Sequence, residues 1–430
     1  MKASETHEIR ETHAAIRAVF SIESPRLIAK LARMLGGDVG RAEELSQDAL
    51  LAALEQWPAS GVPQKPGAWL MAVAKHHALN ALSREKRLER RHEDIAHLSE
   101  NAETEPDLAE ALDDEIGDDL LRLIFTACHP VLPTDARVAL TLRLLGGLTS
   151  EEIARAFLVP APTIQQRIVR AKRTLAEAKV PFEVPSGSEL PPRLDSVLEV
   201  VYLIFNEGYA ATAGDDWLRP DLCEDALRLG RILAELAPLL PEVHGLVALM
   251  EINASRAGAR VGPGGEPIRL LEQDRTRWDR LSIQRGLSAL ERGEALLSGA
   301  PPGFYLLQAA IAACHSRAVA PEDTDWQRIA ALYQQLAILR PSPVIELNRA
   351  VAVAMASGPA AGLAIVDGLL AEPTLQSYHF LPSARGDFLE KLERFDEARG
   401  EFERAASLTQ NARQRTLLLE RAARCADRRR

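Results

Sequence analysis

The stretch LTSEEIARAFLVPAPTIQQRIVRAKRTL, residues 148–175, reads as two helices joined by a tight turn. Thr149 and Glu152 form a T-x-x-E capping box, which starts a helix. Ile153, Ala154 and Phe157 give that helix an apolar face, and Leu158-Val159 make the turn. Pro160 suits the first position of a second helix, where no amide hydrogen is needed. Pro162 still falls in the first turn, whose amides lack intrahelical partners. In the second helix Ile164, Ile168, Ala171 and Leu175 recur at steps of four, three and four, a buried stripe. The opposite surface carries Gln165, Gln166, Val169, Arg170, Lys172 and Arg173, with Thr163 at its start. Glutamine makes two hydrogen bonds to adenine, arginine two to guanine, and valine touches a thymine methyl. Arg167, Lys172 and Arg173 suit phosphate, which positions a helix without specifying sequence. The expectation is a helix-turn-helix that reads the major groove. The plainer alternative is a solvated basic helix in an α-helical hairpin.

Around this motif the chain is 430 residues long, enough for two or three domains. Ala and Leu are abundant, β-branched runs are scarce and no strand-like alternation is sustained, so the expected fold class is all-α. Cys128, Cys223, Cys314 and Cys425 lie far apart and form no CxxC pair, which argues against a zinc site or a disulfide framework. The N-terminus, MKASETHEIRETH, has no apolar signal core, and no stretch approaches an uncharged membrane span. We expect a soluble, cytoplasmic protein without a membrane partner.

The formal charge of −10 hides a segregation. Residues 75–92 carry six Lys/Arg against two Glu. Residues 93–119 carry twelve Asp/Glu and no Lys or Arg. Residues 120–180 return to nine Lys/Arg against four acids. Two basic blocks thus flank an acidic one, which suits a mostly disordered tether. The expected organisation is a helical domain over 1–92, the tether over 93–119, a helix-turn-helix domain over 120–180, a Pro-rich linker over 181–192 and an Ala/Leu-rich helical domain over 193–430.

In the first domain SPRLIAKLARMLG (24–36), VGRAEELSQDALLAALEQW (39–57) and KPGAWLMAVAKHHALNALSREKR (65–87) read as helices. Trp69, Val73, His76, Asn80 and Arg84 share a face of the third. With Lys75, His77, Lys86 and Arg87 they supply amide, imidazole and cationic groups, the chemistry needed to hold unpaired bases. Trp69 is the member expected to pack in the core. Adjacent His76 and His77 diverge by about 100° around a helix and make a poor chelate, so no metal is expected.

The order AEELSQDAL, loop, AWLMAVAKHHALNALSREKR, acidic tether and helix-turn-helix resembles the bacterial sigma factors of the extracytoplasmic-function type, over residues 10–180. The resemblance implies that the first domain binds the core RNA polymerase clamp and melts the −10 element, and that the second binds the −35 element. It places Glu43, Glu44, Gln47 and Asp48 against the clamp and Asn80 near a flipped base; Ser46 and Leu50 depart from the family pattern. It also implies that the tether threads the RNA-exit path.

Minimal members of that family end near residue 180, whereas this chain continues. VLEVVYLIFNEGYAAT (197–212), LEQDRTRWDR (271–280) and PSPVIELNRAVAVA (341–354) resemble the extension of a subgroup with a tetratricopeptide-like regulatory domain. GPAAGLAIVDGLL (358–370) and RFDEARGEFERAA (394–406) align at an offset of 36, near the tetratricopeptide period. Asn206, Glu207, Asp274, Arg275, Asn348 and Arg349 are candidates to line a groove for a regulatory protein or peptide. Each also has a plain structural reading as a cap or packing residue. No GxSxG, P-loop, HExxH or dinucleotide fingerprint occurs, and GPGGEP (262–267) follows no strand, so neither an enzyme nor a cofactor is expected. The alternative function is a conventional helix-turn-helix regulator with a helical-repeat sensor domain, which would leave residues 24–92 unexplained.

Overall fold

The computed structural model describes residues 2–93, 114–157, 159–209, 219–262, 268–409 and 412–428, and the side chains at 2–15, 17, 21, 84–93, 114–117, 412 and 413 are not among what it describes. Those residues are helical with short connections, as composition predicts. The chain divides into two compact units, Met1–Leu203 and Ile204–Arg430.

The first unit holds α1 (Lys2–Met34), α2 (Val39–Ser60), α3 (Pro66–Glu93), α4 (Asp114–Ala127), α5 (Thr134–Leu144), α6 (Ser150–Phe157), α7 (Ala161–Glu177) and the start of α8 (Leu190–Tyr209). α1 is longer than the expected 24–36 and carries Pro25 inside it. A proline there removes one backbone donor, and burial of Ile16, Leu27, Ile28 and Leu31 on either side holds the helix through it. Asp38 caps α2 by accepting from the Arg41 amide at 2.9 Å, and Gly61, at φ 80°, ends it. Trp57 and Leu70 are each 1% exposed and centre the packing of α1, α2 and α3. Trp69 is half-buried and meets the Trp57 ring edge-on, centroids 5.3 Å apart.

The acidic run lies largely outside the described residues, at 94–113. Its end does not stay a tether: α4 begins at Asp114 and packs on α1. Asp119 is fully buried, takes Arg122 Nη1 at 2.7 Å, and has Lys30 and Arg33 within 4 Å. A buried carboxylate persists only with such partners. The expected linker at 181–192 is also held, because Phe182 lies against Gly37, whose φ of 95° and lack of a Cβ leave room for it. Arg193, Ser196 and Glu199, on the first turns of α8, grip the helix-turn-helix region. Arg193 Nη2 donates to the Phe125 carbonyl at 2.8 Å, Ser196 Oγ to the Cys128 carbonyl at 2.5 Å, and Arg137 Nη1 reaches Glu199 at 3.1 Å. Arg137 also donates to Ser196 Oγ.

The second unit stacks α9 (Pro220–Leu236), α10 (Pro241–Ala254), α11 (Arg280–Leu296), α12 (Phe304–Arg317), α13 (Trp326–Leu339), α14 (Pro343–Ser357), α15 (Pro359–Gly368), α16 (Phe380–Lys391), α17 (Phe395–Leu408) and α18 (Ala412–Arg428), most of them packed on their neighbours in the chain, while α12 packs chiefly on α10. The positions aligned at the offset of 36 share one apolar cluster: Val366, Ala398, Phe402 and Ala405 are fully buried in it and Leu369 packs against it. Within α10 every residue from Val243 to Ile252 is buried, His244 and Glu251 included. Among the described residues no helix is long and apolar enough to cross a membrane.

Candidate nucleic-acid interface

The capping box of the opening stretch is present. The Glu152 amide donates to Thr149 Oγ1 at 3.2 Å, and the Thr149 amide donates to Glu152 Oε2 at 2.8 Å. Leu158 lies outside the described residues, but the Val159 amide closes α6 on the Ala154 carbonyl at 3.0 Å. Pro160 is the N-cap of α7 rather than its first residue, one position earlier than the sequence suggested, and Pro162 sits in the first turn. The buried residues of α7 are the predicted Ile164, Ile168, Ala171 and Leu175.

That stripe turns the other side outward. Gln165, Gln166, Arg170 and Arg173 are exposed, and Val169 is 64% exposed on the same surface. Gln165 Nε2 is 3.4 Å from Glu151 on α6, a long bond. Arg173 Nε donates to Glu177 at 2.6 Å, an exposed pair one turn apart. Thr163 is half-buried at the helix start. Arg167 is also half-buried and pairs with Asp135 of α5 at 3.1 Å. Lys172 points elsewhere: it pairs with Glu43 of α2 and keeps 21% side-chain exposure.

Glu43 is the unexpected residue. It is 5% exposed, accepts from Arg143 Nε at 2.6 Å and from Gln47 Nε2 at 2.7 Å, and also takes Lys172. Glu44 and Asp48 are exposed on the same helix, and Gln47 is half-buried. The four candidate polymerase contacts are therefore divided: Glu44 and Asp48 face outward, and Glu43 with Gln47 is enclosed by α5 and α7. Neither a lone Arg143 nor the composition of α2 marks this pairing in the sequence, because its partners are 100 residues apart.

On α3 the buried stripe is Leu70, Ala74 and Ala78, which leaves His76 and Asn80 exposed. Asn80 Nδ2 and His76 Nε2 lie 2.9 Å apart in a hydrogen bond. His77 is half-buried, its Nδ1 4.0 Å from Asp48. Lys75 is half-buried, and burial, then the neighbouring Lys30, holds its ammonium below the usual lysine range. The side chains of Arg84, Lys86 and Arg87 lie outside what is described.

Four of the six groove candidates, Glu207, Asp274, Arg275 and Arg349, each have their own partners. Glu207 pairs with Arg219. Asn206 is half-buried and Asn348 exposed. Asp274 is exposed and caps a short helical turn, accepting from the Thr276 hydroxyl at 2.6 Å and amide at 2.9 Å, bonds that hold its carboxyl below the usual range. Arg275 is 7% exposed and donates to the carbonyls of His315 at 2.7 Å and Ala318 at 2.6 Å. Arg349 pairs with Glu346 at 2.8 Å. None of the six lines a groove found among the described residues between α9, α10 and α11. Glu251 was the available sign of that groove: of the two acids in PEVHGLVALMEINA, Glu242 stands at the helix start and Glu251 inside the apolar run, where an acid needs a partner.

Comparison with known proteins gives three family matches along the chain. Residues 23–88 match sigma-70 region 2, residues 122–175 match sigma-70 region 4, and residues 193–294 match a family of unknown function, DUF6596. An uncharacterized protein of Rhizobium meliloti (strain 1021) is 43% identical over 372 residues, 86% of each chain. The ECF RNA polymerase sigma-E factor of Haemophilus influenzae is 33% identical over 115 residues, 26% of this chain and 60% of that protein. The ECF RNA polymerase sigma-E factor of Escherichia coli (strain K12) is 34% identical over 110 residues, 25% of this chain and 57% of that protein.

Proposed function

This chain belongs to the sigma-70 family of transcription initiation factors, and we propose that it brings core RNA polymerase to promoters of the extracytoplasmic-function class under control of its own C-terminal helical unit. The observation that carries this reading is the outward face of α7, where Gln165, Gln166, Val169 and Arg170 stand exposed behind a fully buried stripe. An exposed valine between hydrogen-bonding side chains suits base edges better than solvent. His76, Asn80 and Lys75 on α3 are then the groups offered to the melted −10 strand, with Arg84, Lys86 and Arg87 beyond them. The regulator alternative gains no such support, since a repressor has no use for a region 2 domain.

Glu43 adds a condition. As one of the residues assigned to the polymerase clamp, it is covered by Arg143 and Lys172. Clamp binding through Glu43 and phosphate contact through Lys172 therefore both require α2 and α7 to part. This arrangement is a closed form, and polymerase binding opens it. The second unit, a stack of helix pairs resembling tetratricopeptide repeats, is the element that modulates this step through a peptide or protein partner.

Run-off transcription with purified core polymerase tests the reading. The full chain, or a chain cut after Leu203, directs core to specific start sites. If neither does so on a genomic fragment library, and neither co-purifies with core, the proposal fails.

A further inference from the structure

The helix α7 carries four cations, Arg167, Arg170, Lys172 and Arg173. Three of them are already matched to a carboxylate. Arg167 Nε lies 3.1 Å from Asp135 on α5, Lys172 is held by Glu43 on α2, and Arg173 Nε donates to Glu177, one turn along α7, at 2.6 Å. Arg170 is the fourth, and among the described residues it has no carboxylate partner.

This division follows the two kinds of contact that a groove-bound helix makes. Arg167, Lys172 and Arg173 are the side chains suited to phosphate, and each is paired. Gln166, Val169 and Arg170 are suited to base edges, and all three stand exposed. Gln165 falls between, with its long bond to Glu151. The groups that would hold any DNA are occupied, and those that would read a sequence are open.

Non-specific affinity for DNA comes from the counterions released when protein cations neutralise phosphates. A guanidinium that must first leave its own carboxylate gives no net release, because the freed carboxylate takes up a cation from solution. The three pairs differ in how firmly they act. Arg173 and Glu177 are 77% and 62% exposed, so solvent and salt reduce their attraction to little. Lys172 and Glu43 are enclosed together with Arg143, and they part only when α2 leaves α7. Arg167 and Asp135, 34% and 56% exposed, lie between these limits. Their pair persists in the free chain and is open enough to exchange its carboxylate for a phosphate. Asp135 stands in the first turn of α5, where the helix dipole favours an acid, and α5 packs on α7.

We propose that Asp135 is a positioning residue that limits non-specific DNA binding: its carboxylate holds Arg167 in the place a DNA phosphate would take. On a random sequence the exchange of carboxylate for phosphate gains little, and α7 does not settle. At a matching site the base contacts of Gln166 and Arg170 fix the helix, and Arg167 then passes to the backbone. This restraint rests on the reading of α7 as a DNA helix. It is separate from the Glu43 contact, since Asp135 and Arg167 both belong to the α5–α7 packing and need no parting from α2.

The test is fluorescence anisotropy of the full chain on a labelled random-sequence duplex over a range of salt concentrations. Asp135→Asn keeps the size of a half-exposed side chain and removes its charge. It tightens binding about threefold at low salt, the worth of one such ion pair. It also steepens the salt slope by about one, as expected for one added phosphate contact. In an Arg167→Ala background the same substitution changes neither quantity. A slope equal to the parent's in Asp135→Asn overturns the proposal. So does an equal steepening without Arg167, which would make Asp135 a general repulsive charge. Failure of the parent and of every variant to bind any duplex at low salt overturns the reading of α7 itself, and the proposal with it.

Discussion

Two buried glutamates, one in each unit, meet the same electrostatic problem differently. Glu43 draws its partners from three helices: Gln47 one turn along α2, Arg143 on α5 and Lys172 on α7. Glu251 relies on Arg231, 20 residues earlier, and leaves one oxygen unsatisfied. The first carboxylate is satisfied only while distant segments stay together, so its burial reports a domain arrangement. The second is fixed by adjacent helices, with one oxygen buried and without a hydrogen-bond partner among the described residues. Burial of a charge therefore ties together segments far apart in the chain in one place and adjacent helices in the other.

The largest expected effect comes from breaking the first network. Glu43→Ala leaves Arg143 and Lys172, 24% and 21% exposed, facing one another without their acid. We expect a loss of about 3 kcal/mol from the first unit, read as the first transition in urea unfolding. Glu251→Ala costs less, about 1 kcal/mol, because Arg231 is 44% exposed and rehydrates. Equal losses would erase the distinction between the two networks.

Arg170→Ala touches neither network. It leaves unfolding unchanged, weakens promoter binding by about 1–3 kcal/mol and relaxes selectivity at one base pair. A uniform loss across all sequences would show that α7 is not the reader.

Lys172→Ala sharpens the contact between α2 and α7. In the polymerase-bound complex it lowers the salt slope of DNA binding by about one, as expected for one lost phosphate contact. In the free chain, where Lys172 is paired to Glu43, the slope is unchanged. A reduced slope in both states would mean that α2 and α7 are apart before polymerase arrives.

The smallest effect is on pH dependence, and here the units behave alike. Burial, then the nearby Arg193, pushes the His129 imidazole down from 6.5 to about 4. Burial, Arg256 and Arg275 do the same to His315, also to about 4. A histidine with a depressed folded pKa is protonated first in the unfolded chain. Its contribution is therefore complete above the unfolded value and is lost as pH falls from about 6.5 towards 4. His315→Gln flattens that loss in the second unit only, as thermal melts at pH 7 and pH 5 will show.

Local signals made much of the first unit legible. The capping box, the apolar steps of α7 and the turn prolines act over a few residues, and each is where the sequence placed it, Pro160 shifted by one. What escaped the sequence was non-local. Asp119 reads as the last acid of a tether until Lys30 and Arg33 come within reach of it. Glu43 reads as an exposed helix acid until α5 and α7 cover it. Arg275 reads as a groove residue, yet its guanidinium is spent on the carbonyls of His315 and Ala318, 40 and 43 residues away. Periodicity tells which face of a helix is buried, and it does not tell what buries a charge.

The first turns of α8 carry a practical consequence. A fragment ending at residue 180, the length of a minimal family member, would strip Arg193, Ser196 and Glu199 from Arg137 and from the carbonyls of Phe125 and Cys128. Arg137, 8% exposed, would be left with Thr134 as its remaining hydrogen-bond partner. The extension is therefore not an interchangeable cassette. Any chimera that grafts it onto another promoter-recognition module must carry its splice point past Leu203, or bring along a matching arginine for Ser196 and Glu199 to hold.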